Sequence, residues 1–247
     1  MRLAIVADIH GNLPALEAVA ADLARHQVDA IVDLGDCVSG PLWPRETAEF
    51  LMVRGWPTVR GNHDRVVALA SGGALGPSDA FARSQMNARQ LAWCGTLPSA
   101  VTLPGGILAV HGRPGSDTAY LLEDVEAGRT VPARLNRIEE RLAGIDASIV
   151  LCGHSHLATA LRLPRGTWVV NPGSVGCPAY DDDTPPAHVS EAGSPAARYA
   201  VLKINHAGVA VDLVSVPYDH VSASRRAERN GRADWAHALL TGFSTAS

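Results

Sequence analysis

Lysine is almost missing from this chain: Lys203 stands alone beside twenty arginines. That bias carries no functional reading. There is no basic excess either, because 25 acids outnumber 21 Lys and Arg, so the summed field offers no broad positive surface to a nucleic-acid backbone. Phe, Trp and Tyr make up only 5% of the residues and form no series interleaved with basic side chains, the pattern that tracks single strands. Both absences argue against strong binding of long nucleic acid. Four cysteines, Cys37, Cys94, Cys152 and Cys177, are too sparse for a disulfide scaffold and show no CxxC spacing, which excludes a zinc finger. Cys37 and Cys152, which adjoin candidate ligands, read as small buried side chains at strand ends.

Long apolar runs are missing too, and none reaches the roughly 20 residues of a membrane-spanning helix. The first run, Leu3 to Ala7, ends at Asp8, well before a signal-peptide core would be complete. The expectation is a cytoplasmic protein with no membrane partner; protein partners cannot be read. That run opens onto Asp8-Ile9-His10-Gly11-Asn12 where a dinucleotide-binding unit would place GxGxxG, and no Walker lysine follows, so Rossmann and P-loop readings are disfavoured.

What is present is enough apolar residue for a core, 47% of 247 residues, and one junction used repeatedly. Short apolar runs end in polar, potentially metal-ligating residues: Ala30 to Leu34 at Gly35-Asp36, Trp56 to Val59 ahead of Gly61-Asn62-His63-Asp64, and Ile107 to Val110 at His111. Ser148 to Cys152 leads into Gly153-His154-Ser155-His156, and Thr167 to Val170 into Asn171-Pro172-Gly173-Ser174. Between them lie helix-like stretches, with Leu16, Val19 and Leu23 on one stripe and Leu135, Ile138 and Leu142 on another. Further helices are expected at Glu46–Met52, Phe81–Cys94 and His220–Leu240, a hairpin through Pro104-Gly105-Gly106, and a turn at Gly72-Gly73. Residues 181–197 read as a flexible surface loop or short linker, and Tyr199–Ile204 with Val209–Val216 as two more strands. The pattern predicts an α/β protein with two packed sheets and helices outside them. It is read as one domain over 1–247, with helical or loop insertions at 65–99 and 112–132.

Asp8, His10, Asp36, Asn62, His111, His154 and His156 offer carboxylate, amide and imidazole donors suited to two hard or borderline cations. In this order and with these neighbours the motifs resemble the calcineurin-like metallophosphoesterases, especially their small bacterial phosphodiesterase-type members. The resemblance spans Asp8 to Ser174 and implies a sandwich of two mixed sheets. It implies that Asp8, His10 and His156 hold one metal, that Asn62, His111 and His154 hold a second, and that Asp36 bridges them. Manganese and/or iron would fit, and zinc is compatible with the same donors. The function implied is hydrolysis of a small phosphodiester or phosphomonoester by metal-activated water, without a protein nucleophile. His63 resembles the family's catalytic histidine, a proton donor to the leaving oxygen with Asp64 orienting it. Asn12 and Arg113 are candidate substrate contacts.

Taken singly, each of these residues is more often a helix cap, a turn or an exposed histidine. Two other functions compete: a noncatalytic phosphate- or protein-binding module, and a metal-dependent nuclease. The complete ligand set counts against the first, and the missing basic and aromatic track against the second.

Overall fold

The computed structural model describes residues 1–69 and 75–245; the expected turn at Gly72-Gly73 lies outside them. The chain opens with β1 (Arg2–Val6) and α1 (Leu13–Leu23), followed by β2 (Ala30–Asp33) and α2 (Pro44–Arg54). Three helices follow, α3 (Asn62–Leu69), α4 (Pro77–Gln85) and α5 (Ala88–Thr96). Then come the hairpin β3 (Ala100–Leu103) and β4 (Ile107–Val110), a second hairpin β5 (Glu123–Glu126) and β6 (Arg129–Pro132), and α6 (Leu135–Arg141). After β7 (Ile149–Leu151), β8 (Thr159–Arg162) and β9 (Trp168–Asn171) lie β10 (Ala179–Asp182) and β11 (His188–Glu191). The long pair β12 (Ala197–Asn205) and β13 (Gly208–Val216) and the helices α7 (His220–Arg229) and α8 (Ala233–Thr241) complete the order.

Two mixed sheets form the sandwich, in the orders β13-β12-β1-β2 and β3-β4-β7-β9-β8. Strand periodicity explains the layering. In β1, Leu3 and Ile5 face the second sheet and meet Ile107, Ala109, Ile149 and Leu151. Ala4 and Val6 face the other way, onto a cluster that includes Leu16 and Val19 of α1 and Leu51 of α2. The second sheet is covered on its outer face in the same manner, where Val150 and Val169 pack with Ile138 of α6. Both sheets are therefore covered by helix on the outside, as the patterning predicts. No helix among the described residues is long and apolar enough to cross a membrane.

Three local expectations need correction. The helix expected over Phe81–Cys94 is two helices, broken before Asn87, whose side chain accepts from the Gln90 N–H while Gln90 accepts from the Asn87 N–H. That reciprocal pair is a capping box, and it starts a new helix where a continuous one was expected. Residues 181–197 are not simply a loop: β10 and β11 join β5 and β6 in a third sheet of order β10-β11-β6-β5. The helix expected over His220–Leu240 is likewise divided into α7 and α8, with Gly231 at φ 76 between them. Trp56–Val59 makes a single parallel bridge, Asp33 to Thr58, at the edge of the first sheet.

Candidate metal centre

The parallel pairs β1–β2 and β4–β7–β9 send the loops after their carboxyl ends to one edge of the sandwich, where ligand sites of open α/β sheets form. Asp8, Asp36, His111 and His154 all lie just beyond these strand ends, and they converge. Donor atoms of Asp8, His10 and His156 lie within 4.8 Å of one another, and so do those of Asp36, His111 and His154. The Nε2 atom of His156 is 3.3 Å from an Asp8 oxygen and 3.1 Å from Nε2 of His10. The Nε2 atom of His111 is 3.2 Å from Asp36 Oδ2 and 3.0 Å from Asn62 Oδ1. Asp36 Oδ2 also lies 3.9 Å from His10 Nε2, so this one oxygen faces both groups.

The second ring nitrogens decide what these groups can hold. Nδ1 of His10 donates to the Ser39 carbonyl at 2.7 Å, and Nδ1 of His156 to that of Cys177 at 2.6 Å. His111 uses the Leu34 carbonyl in the same way at 2.9 Å. A carbonyl oxygen only accepts, so each Nδ1 carries the hydrogen, and each ring in its neutral form turns an Nε2 lone pair to the centre. Lone pairs of His10 and His156 then face each other at 3.1 Å, and that of His111 faces an amide oxygen and a carboxylate. Such a set is satisfied by a cation between the donors, and a carbonyl-braced histidine is how metal-ligating imidazoles are oriented. The donor set therefore fits two metal ions.

Charge points the same way. Asp8 and Asp36 are buried, yet neighbouring histidines outweigh that burial and hold both carboxyls below their ordinary range. Burial pushes His111 down, but the Asp36 carboxylate more than offsets this and raises it to about 10. Burial and then the neighbouring His156 drive His10 down to about 4. The centre thus stabilises positive charge between its acids. Backbone strain collects here too: Asp8, His10, Asp36, His154 and His156 all have φ between 51° and 69°, a region that costs non-glycine residues free energy and that recurs at functional sites.

The loops are held by residues read differently from sequence. Asp64, expected to orient His63, instead accepts from the backbone N–H groups of Asp36, Cys37 and Gly61 at 2.8, 2.9 and 3.0 Å. It ties the Gly35-Asp36 loop to the start of α3. His63 is oriented by Asp79 of α4, whose Oδ1 accepts from His63 Nδ1 at 2.8 Å and from Ser39 Oγ at 2.7 Å. Burial lowers the His63 pKa, but Asp36 and the Asp79 bond outweigh it and raise it to about 9. Asn12 is fully buried; its Nδ2 donates to the Gly176 carbonyl and Tyr218 hydroxyl at 2.9 and 3.0 Å, and its Oδ1 caps α1 at Ala15. It is a structural cap. Arg113 is exposed and outside the cleft lining. Asn171 braces the Gly153–Ser155 loop through the Gly153 carbonyl at 2.9 Å and Ser155 Oγ at 3.0 Å.

A cleft of about 490 Å³ opens over the centre, bordered by His10, Asp36, Asn62, His63, His154 and His156. Sequence reasoning missed several other lining residues, including Ser39, Tyr180, Arg232 and Trp235. Only the polar end of β10 and the amphipathic α8 hinted at them, and neither carries a motif.

A two-sheet α/β sandwich with a buried Asp/His centre at the carboxyl edge defines a metallophosphoesterase-like protein. Residues 1–192 match the calcineurin-like phosphoesterase superfamily domain, and the chain belongs to that family. It is similar in structure to a metallophosphoesterase from Sphaerobacter thermophilus, with 25% identity, 97% of this chain and 98% of that one covered, and a TM-score of 0.75. A hypothetical protein from Pyrococcus horikoshii OT3 gives the same TM-score of 0.75 at 18% identity, over 98% of each chain; at that identity it shows the fold alone. An uncharacterized protein of Methanocaldococcus jannaschii is 39% identical over 62 residues, which span 25% of this chain and 26% of that relative.

Proposed function

We propose that this protein is a dinuclear metal-dependent phosphoesterase acting on small phosphodiesters and activated phosphomonoesters. The observation that carries the reading is the pair of carbonyl-braced histidines, His10 and His156, whose Nε2 atoms meet at 3.1 Å beside Asp8. Asp8, His10 and His156 would hold one ion, Asn62, His111 and His154 the other, and Asp36 would face both. Bound there, two divalent cations would stabilise charge on the phosphoryl oxygens and lower the pKa of an attacking water. Manganese and/or iron suit the mixed nitrogen and oxygen donors, with zinc as a further candidate.

The chain's own residues supply the rest. His63 lines the cleft with Nδ1 fixed on Asp79, which leaves Nε2 to give a proton to the departing oxygen. Its backbone N–H donates to Asp36 Oδ1 at 2.9 Å, so the first turn of α3 that carries the proton donor also holds the carboxylate that faces both groups. Elemental analysis and a metal-supplemented kcat/KM screen of mono- and diesters test the reading, with Asp36→Ala as the blank. Two ions per chain and small-diester turnover are expected. His63→Ala should keep its metal and lose about 10²- to 10⁴-fold in turnover, most on poor leaving groups. Full activity without metal sinks the mechanism, and attack on physiological monoesters alone removes the diesterase part.

A further inference from the structure

The cleft has a wall beyond the matched family region. That region ends at residue 192, whereas α8 and its cap bring Arg232, Asp234 and Trp235 into the lining. The indole of Trp235 is half-buried, and its centroid lies 5.9 Å from that of His10 at an interplanar angle of 69°. Gly40 permits this approach: a Cβ there would lie 2.4 Å from the His10 carbonyl oxygen and 3.1 Å from Cη2 of Trp235. His10 stands 5.6 Å from the ring of His63, so the indole is one ring removed from the proton donor.

Arg232 braces the same wall. Its Nη1 donates to Ser78 Oγ at 2.7 Å, and Nε and Nη2 donate to Asp234 at 3.0 and 2.6 Å. The guanidinium lies 5.8 Å from the Trp235 ring. Ser78 is the neighbour of Asp79, which holds His63, so the wall is tied to the side of the cleft where the leaving group departs. An indole held beside a guanidinium that is itself fixed on Asp234 and Ser78 presents π surface, which suits a flat aromatic group. A polyphosphate suits it poorly. Asp234 already offsets Arg232, and Asp181 and Asp182 add like charge elsewhere in the lining. A short alkyl group would leave the indole uncovered.

We propose that α8 forms the leaving-group subsite of this cleft, with Trp235 as the specificity-determining platform for a planar aromatic group such as a nucleoside base. The proposal rests on the phosphoesterase reading of the adjacent centre, and its test separates the two. Calorimetry on the manganese-loaded full chain, with inorganic phosphate present, would compare adenosine, guanosine, cytidine and uridine with ribose. At least one nucleoside should bind about 10-fold or more tightly than ribose, as one stacked base allows. Trp235→Leu keeps apolar volume but removes the ring, and should abolish that preference; Trp235→Phe should retain part of it. Thermal unfolding shows whether each variant is folded, and if Trp235→Leu is not, wild type and Trp235→Phe decide. No preference in wild type, or an unchanged preference in a folded Trp235→Leu, overturns the subsite. Nucleoside binding with no ester hydrolysed leaves the subsite standing and defeats the phosphoesterase reading instead.

Discussion

Asp36 shows how much one side chain is asked to do at this centre. Its Oδ1 accepts from the His63 N–H, its Oδ2 faces His111 and His10, and its own N–H is held by Asp64. The space around it exists because residue 61 is glycine. A Cβ there would lie 2.0 Å from Asp36 Oδ1 and 2.4 Å from the Asp36 backbone nitrogen, distances that no rotamer change relieves because the second neighbour is backbone. Gly61→Ala must therefore displace the carboxylate or its loop, although it adds one methyl and removes no ligand. We expect metal affinity to fall about 10- to 100-fold, the size seen when a ligand's support is lost, with turnover falling in parallel. Metal titration by calorimetry checks this, and wild-type affinity in Gly61→Ala would show that Asp36 is not held by this contact.

At the scale of elements, the legible parts were those with local signals. The strand-to-loop junctions could be read because an apolar run and its terminal Asp or His are adjacent in sequence, as at Val6-Ala7-Asp8 and Val110-His111. The third sheet could not. Its β11 and β6 meet through the single pair Val189 and Arg129, sixty residues apart, and acids and prolines mask the strand periodicity between 181 and 197. Asp79 escaped notice for the same reason: it lies sixteen positions along the chain from His63. The docking of α1 on the first sheet shows a polar contact with no sequence signature. Tyr199 of β12, fully buried, donates its hydroxyl to Asp22 Oδ2 at 2.5 Å, and Arg25 and His26 complete the carboxylate's surroundings. The Tyr199 bond, followed by that of Arg25, lowers the Asp22 pKa below its ordinary 3.8. A lowered carboxyl pKa stabilises the fold above 3.8, and the benefit is lost as pH falls below it. Tyr199→Phe should cost about 2 kcal/mol near neutral pH, as a lost bond to a charged acceptor. The difference should narrow in acid. Urea unfolding of both proteins at several pH values tests this, and a gap that widens below pH 4 (about the free carboxyl value) would contradict the assignment.

For the whole molecule, stability and chemistry sit in different places. The apolar layers lie between and outside the sheets, while the strained turns and buried acids of the centre gather at one edge. The sandwich must hold those acids and lone pairs close together, at a cost that cations remove. Whatever binds only the folded chain stabilises it, by about 2.7 kcal/mol per site at a hundredfold excess over Kd. For a chain of this size each kcal/mol moves Tm by roughly 2–4 °C, so filling one site should raise Tm by about 5–10 °C. Two variants make the measurement specific. Asp36→Ala removes the carboxylate that faces both ligand groups and should lose most of the metal-dependent rise. His63→Ala removes a ring that belongs to neither group and should keep it. Scanning calorimetry with added manganese, iron or zinc, reversed by a chelator, reads all three proteins. An equal rise in wild type and Asp36→Ala would place the metal elsewhere on the molecule, and no rise with any of the three metals would mean that these converging histidines and acids do not hold the ions their geometry fits.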